Sequence, residues 1–406
     1  MKIVVVGGGA SGLVSAIYAA KNNDEVIILE RNSSCAKKIL VTGNGRCNYW
    51  NMDQEISHYH SSSLEKIDTI ITKNHQEEIL EFFNNLGIVP KIKNGYYYPY
   101  SNQATSIKNA LLNEVKKLNI EIIEDFFVER IEKEQDKFYL YSSSKKIDAD
   151  KVILATGSKA CPKTGSDGNG YYLAKNFGHS LVPVLPSLVQ LKGNENYFKE
   201  WDGVRADVEL SLIYENETLK EETGEIQLTD YGISGICTFN ISGLASKLLY
   251  EGKAPQVKIN FCPFIEKENF ENWLEKRNIV MNNPTIEELL EGFLNYKLII
   301  ALLKKCHISK LEEWDHLASL KKQELISSLT ELTFEITDTN SFDKAQVCSG
   351  GIPLTEVNLD TLESKKVEGL YLVGELLDVD GDCGGYNLGF AWISGMIAGK
   401  GASKKC

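Results

Sequence analysis

No two cysteines in this chain have C-x-x-C spacing, although nine are present, at positions 35, 47, 161, 237, 262, 306, 348, 383 and 406. That scatter excludes a disulfide framework and a cysteine-built zinc site. The odd count points to reduced thiols and a cytoplasmic location. No apolar run approaches the roughly 18 residues of a membrane span, so no membrane association is expected. The run Ile3-Val4-Val5-Val6 after Lys2 is too short for a signal peptide and breaks at Gly7-Gly8-Gly9, so it reads as a strand. Positive charge is in deficit: 44 Lys and Arg stand against 56 Asp and Glu, a net charge of −12. Such a chain is a poor generic binder of nucleic acid, unless a local basic patch overrides the average. Internal repeats and low-complexity tracts are missing too. What is present is a globular composition, 43% apolar and 25% charged. At 406 residues the chain exceeds one compact core, so two or three domains are expected.

The first 30 residues carry a strand, a Gly-rich turn, a helix and a second strand ending in an acid. Gly7-x-Gly9-x-x-Gly12 opens the helix expected over 10–22. Gly7 permits the tight turn, Gly9 lets a pyrophosphate approach the backbone, and Gly12 allows close helix–strand packing. The N–H groups of the helix start, at Ala10 and Ser11, face a diphosphate favourably. Glu30 ends the strand 25–30, where a carboxylate can accept from a ribose 2′-OH, with Arg31 next to it.

The other end of the chain decides which dinucleotide. LYLVGELLDVDGDCGGYNLGFAWISG at 370–395 is a strand, a Gly-rich loop and an apolar helix. Gly374 and Glu375 are placed to hold ribityl hydroxyls. Gly385, Tyr386, Asn387 and Leu388 open a helix whose N-terminus can stabilise the negative charge of a reduced flavin. Ala155-Thr156-Gly157 closes a buried strand at the position typical of two-domain FAD oxidoreductases. FAD is therefore the expected cofactor. There is one dinucleotide fingerprint and no second, so NAD(P)H is expected as a transient electron donor without a domain of its own.

Between the ends, helices are expected near 64–86 and 104–118, and strands at 120–123, 126–132, 137–142 and 151–155. From 188 to 263 the chain reads as short β-like runs, and from 264 to 330 as helices. The fold class is α/β. A Rossmann-like FAD domain is split into 1–187 and 341–406, with an inserted substrate domain at 188–340 made of a β-barrel-like part and a helical part.

Lys37-Lys38-Ile39-Leu40-Val41-Thr42-Gly43-Asn44-Gly45-Arg46-Cys47-Asn48, together with Gly384-Gly385-Tyr386-Asn387, resembles the YhiN/BaiN-type family of NAD(P)/FAD-dependent, aminoacetone-oxidase-like flavoproteins. Further segments match nearly end to end: 97–105, 155–179, 186–191, 228–235 and 348–392. The resemblance implies that the 42–48 loop lies along the flavin. Thr42, Gly43, Arg46, Cys47 and Asn48 would then contact the cofactor, with Lys38 and Val128 among the further cofactor positions. Arg46 could pair with the diphosphate or an anionic substrate, or only pin the loop. Three departures stand out: Thr42-Gly43-Asn44-Gly45 for a Gly-rich run, Asn48-Tyr49-Trp50-Asn51 for N-x-T-N, and Asp230-Tyr231 where a His is frequent.

The catalytic candidates are Cys47 and Arg46. A thiol beside the flavin, Cys47 or Cys383, could act as general acid; the plainer reading is that Cys47 packs against the cofactor and Cys383 is a small loop residue. His58-Tyr59-His60 lacks a third ligand and reads as a surface loop, so no metal is expected. Tyr96-Tyr97-Tyr98-Pro99-Tyr100 lines either a flat pocket or the core. The family resemblance favours hydride transfer through flavin N5 to an activated C=C bond of an enone or steroid-like small molecule, seated in a cleft between the FAD and inserted domains. The alternatives are an rRNA dihydrouridine synthase, an amine oxidase and a non-enzymatic flavin module. RNA is the less favoured partner, and the sequence does not give the oligomeric state.

Overall fold

The computed structural model describes residues 1–22 and 24–403. The chain divides into two compact units. One combines Met1–Leu185 with the chain from Gln346 onward, and the other is Pro186–Ala345.

The first unit is built on a five-stranded parallel sheet, in the order Leu370–Leu372, Lys151–Leu154, Lys2–Val6, Glu25–Leu29, Glu121–Ile123. Ile3, Val4 and Val5 at its centre have no exposure. A strand flanked by parallel neighbours and covered on both faces needs such an uninterrupted apolar run. The helix Ala10–Ala20 crosses between the first two strands of the chain. The final helix, Tyr386–Ser403, packs directly on it. A Cβ on Gly395 would meet Ser11 O at 2.5 Å, and one on Gly399 would meet Ser15 O at 2.5 Å, so glycine at both positions sets the close approach. The two halves of the unit are thus locked by strand 370–372 and by this helix pair. Smaller sheets decorate the unit. One pairs Trp50–Asn51 with Tyr96–Pro99 and Pro90–Lys93, and another pairs Tyr59–His60 with Asp380–Gly381.

The second unit holds a seven-stranded sheet running from Leu332–Glu335 through Gln256–Asn260, Arg205–Tyr214, Glu217–Thr229, Gly232–Ser234 and Leu191–Lys192 to Asp338–Thr339. Among the described residues no pairing joins its end strands, so it is an open sheet where a barrel-like part was expected. A second difference lies at Ile236–Tyr250, a 15-residue helix inside the stretch read as β. It starts after Gly235, whose φ of +102° turns the chain out of the preceding strand. The helices Lys267–Met281, Ile286–Leu290, Tyr296–Cys306 and Ser319–Thr330 complete the unit around Trp201, Trp314 and Phe270, all fully buried. Among the described residues no helix is long and apolar enough to cross a membrane.

Candidate functional site

The Gly-rich turn is held from below and open above. Gly7 has φ +105°, and a Cβ there would meet Ala155 O at 2.5 Å. A Cβ on Gly12 would lie 1.9 Å from Gly7 O. At Gly9 a Cβ would meet no described atom within 4 Å. Open space therefore stands at the N-terminus of Ala10–Ala20, which has no side-chain cap. The first N–H groups of a helix lack partners in the helix and attract an anion. Glu30 is 6% exposed and shapes this turn: one carboxylate oxygen accepts from Gly8 N at 2.9 Å, the other from Asn32 N at 2.8 Å. Arg31 is drawn to Asp167 at 2.6 Å and stacks on Phe127. Val128 is buried, and its carbonyl accepts from Asn169 Nδ2 at 2.9 Å. Ala155 abuts Gly7 and Gly12, Gly157 has φ +71°, and the buried Thr156 Oγ1 has no hydrogen-bond partner.

The 37–48 segment folds as a short helix, Lys37–Val41, and then a tight turn in which Gly43 and Asn44 both have φ +54°. Thr42 Oγ1 donates to Ile39 O at 2.7 Å. Lys38 Nζ pairs with Glu375 at 2.7 Å. Burial alone would lower the Lys38 pKa, but the Glu375 carboxylate outweighs it and the net shift is upward. Glu375 was expected to serve ribityl hydroxyls. Here the chain itself engages both its oxygens, one through Lys38 and the other through Cys348 N at 3.1 Å. Arg46 donates from Nε to Gly43 O at 3.2 Å, and its exposed guanidinium lies 5.2 Å from the centre of the Tyr98 ring. Asn48 Oδ1 is buried without a hydrogen-bond partner.

The structure counts against one catalytic expectation. Cys47 has no exposure, and burial pushes its thiol up to about 12, only partly offset by a bond with Thr42. A sealed, weakly acidic thiol packs the loop and is a poor proton donor to a substrate. Cys383 is partly exposed.

The C-terminal loop is pressed against the same region. A Cβ on Gly374 would meet Ser11 Oγ at 2.5 Å, and one on Gly385 would meet the Trp50 carbonyl carbon at 2.7 Å. Asn387 brackets Gly381, accepting from its N–H at 2.9 Å and donating to its carbonyl at 2.8 Å. Tyr386 stacks on His58 with ring centres 4.5 Å apart, and Leu388 is half-buried. Sequence reasoning passed over a buried polar network here. Asp382 is bonded by His58 at 3.3 Å and His60 at 3.1 Å, and Asp378 by Ser62 N at 2.9 Å. The period-two spacing of Asp378, Asp380 and Asp382 was the available signal.

The open space at Gly9 and the unpartnered Thr156 and Asn48 oxygens fit a dinucleotide carrying a polar ring system, as FAD does. A family model described as the HI0933-like protein Rossmann domain matches residues 1–401. The 3-dehydro-bile acid delta(4,6)-reductase of Clostridium scindens is 42% identical, over 100% of this chain and 99% of its own. The ribosomal RNA dihydrouridine synthase of Escherichia coli is 28% identical, over 96% of this chain and 95% of its own. Among solved structures, the open conformation of a flavocytochrome c3 fumarate reductase aligns with a TM-score of 0.51 at 12% identity, over 99% of this chain and 78% of that one, a likeness of fold alone.

Proposed function

The chain belongs to the HI0933-like Rossmann-domain family, and from that premise we propose that this FAD-dependent oxidoreductase reduces a C=C bond conjugated to a carbonyl in a small molecule, with NAD(P)H as electron donor. The observation that carries the reading is the full-length 42% identity to a reductase named for a dehydro bile acid.

Bound FAD would supply hydride transfer. The residues do the rest. The helix start after Gly9 receives the diphosphate, and Glu30 lies where the adenosine ribose is expected. Thr156, Asn48 and the 384–388 loop offer polar groups to the flavin end. The Lys38–Glu375 pair fixes the loop that carries Arg46 relative to the end of strand 370–372. An enone reduced by hydride at its β-carbon develops charge on the carbonyl oxygen, which a hydrogen-bond donor held at the flavin face would stabilise.

The test is an anaerobic titration of the purified flavoprotein with NADH and NADPH, followed by addition of a 3-keto-4-ene steroid. Bleaching of the flavin by the nicotinamide and its return on adding the enone are expected. No bleaching, or immediate peroxide formation on admitting air, would sink the reading. A second reading, reduction of uridine in ribosomal RNA, is favoured by the relationship to the Escherichia coli enzyme. Flavin return on adding ribosomal RNA, and none with the enone, would select it.

A further inference from the structure

The small sheet beside the two flavin loops has a face whose composition is specific. Pro90–Lys93 and Tyr96–Pro99 form a hairpin through Asn94 (φ +51°) and Gly95 (φ +82°). Two left-handed residues make the tight turn that fixes register. Lys91 is opposite Tyr98 and Lys93 is opposite Tyr96. Residues directly opposite share a face, with Cβ atoms about 5 Å apart. Lys91, Lys93, Tyr96 and Tyr98 therefore project together.

That face is turned to the loops. A Cβ on Gly43 would meet the Tyr98 ring at 3.6 Å, and one on Gly384 would meet the Tyr96 ring at 2.7 Å. Tyr97, on the other face, packs edge-on to the buried Tyr49. Arg46 joins the group from above, over Tyr98. Arg46 thus lies over Tyr98, Lys91 is opposite Tyr98 across the hairpin, and Lys93 is two positions along on the same face, opposite Tyr96. Among the described residues, the side chains of Lys91 and Lys93 have no ion pair or hydrogen bond, and the Arg46 side chain bonds only a carbonyl. Three like charges on one surface, none of them paired with a carboxylate among the described residues, in a chain of net charge −12, favour an anion beside them.

We propose that Arg46, Lys91 and Lys93 form an anion-binding handle for the substrate, which is a flat apolar molecule bearing a carboxylate: its ring system lies on Tyr96 and Tyr98, and its carboxylate is held by the three cations. This rests on the reductase reading and adds the charge of the substrate to it. Arg46 offers the planar fork that matches a carboxylate, and the two lysines add mobile point charges. Three cations suit one carboxylate. Tight RNA binding draws on many more phosphate contacts than these three supply.

The experiment uses the full-length FAD-loaded protein, with calorimetric titration of cholate and of cholate methyl ester. Lys91 and Lys93 are exposed, so the K91E/K93E double variant should fold; its flavin spectrum and melting temperature check this. The wild type should prefer the acid to the ester. In the double variant the ratio of acid to ester affinity should fall by about tenfold, since exposed ion pairs each contribute up to about a factor of five. R46Q should lower the same ratio, and raising the salt concentration should mimic both. Equal affinity of wild type for acid and ester would overturn the proposal, as would an equal loss for both ligands in K91E/K93E. So would displacement of cholate by a uridine-containing rRNA hairpin that binds tightly through the two lysines, which would make RNA the occupant. Turnover of a 3-keto-4-ene steroid is scored separately. Turnover without acid preference sinks the handle alone, and lysine-dependent cholate binding without turnover of any enone sinks the reductase reading alone.

Discussion

Lys38 and Glu375 stand 337 positions apart in the chain and their charged groups meet at 2.7 Å. The pair ties the helix leading into the Arg46 loop to the end of the strand that closes the sheet. Both side chains are largely buried, at 26% and 17% exposed, so removing one charge strands the other in a poorly solvated place. Glu375→Gln should cost about 3 kcal/mol in urea unfolding, the scale for breaking a mostly buried pair. The Lys38 pKa is raised above its unfolded value, so the pair's stabilisation is full below about pH 10.4 and is lost as pH rises through the folded value. Wild type should therefore lose stability at strongly alkaline pH, and Lys38→Met should not show that loss.

The glycine fingerprint separates into positions that serve the fold and one that serves the ligand. Gly12→Ala would drive a methyl to 1.9 Å from Gly7 O and should cost about 3 kcal/mol or prevent folding. Gly9 has ordinary dihedrals, φ −84° and ψ −162°, and open space at its Cβ. Gly9→Ala should leave the apoprotein within about 1 kcal/mol of wild type, the usual cost at such a helix start. Its FAD affinity should fall at least about tenfold, because the new methyl fills the approach of the diphosphate. Equal flavin content in Gly9→Ala and wild type would show that the diphosphate lies elsewhere.

Much of the first unit was legible because its signals are local. The run Ile3–Val6 between a lysine and three glycines could only be a buried strand, and the Gly-rich turn announced its helix. The helix Ile236–Tyr250 escaped detection because Ile236, Thr238, Ile241 and Ser242 are weak helix formers. Its surroundings made it a helix: it packs along strand 217–229. The Asp382–His58–His60 network was missed for a different reason: the alternating acids at 378–382 were its one local sign, and Asp382 lies more than 300 positions from both histidines. Only the pairing of Tyr59–His60 with Asp380–Gly381 makes it visible. The tyrosine run was open between pocket and core, and strand alternation divided it: Tyr96 and Tyr98 face the loops, Tyr97 the interior.

Glu356 supplies a pH test at the acid end. Burial alone would raise its carboxyl, but bonds from Lys366, Ser180 and His179 outweigh this and bring it down to about 2. His179 is itself held below its ordinary value, mainly by burial. Both folded pKa values lie below the unfolded ones. Their stabilisation is thus complete above about pH 6.5, and falls as the pH drops through the histidine range and then from about 4.5 towards 2. Urea midpoints at pH 7, 5 and 3.5 should decline in wild type. Glu356→Gln should start lower and decline less between pH 5 and 3.5. An unchanged slope in the variant would remove Glu356 from the account.

Cys47 is the residue for which the sequence leaves packing and catalysis both open. A thiol in the loop that borders the proposed flavin site invites a proton-donor role, yet its side chain is sealed and its pKa is pushed up to about 12. Packing and catalysis predict different numbers. As a packing group, Cys47→Ala should cost about 1 kcal/mol of stability and leave kcat within about threefold. As a general acid it would lose about 10²–10⁴-fold in kcat. The structure favours the first outcome. It also requires that iodoacetamide at pH 8 leave Cys47 unmodified in the folded holoenzyme and modify it in urea, which peptide mass mapping would read directly. Alkylation of the folded protein at Cys47, with loss of turnover at the same rate, would reopen the catalytic role.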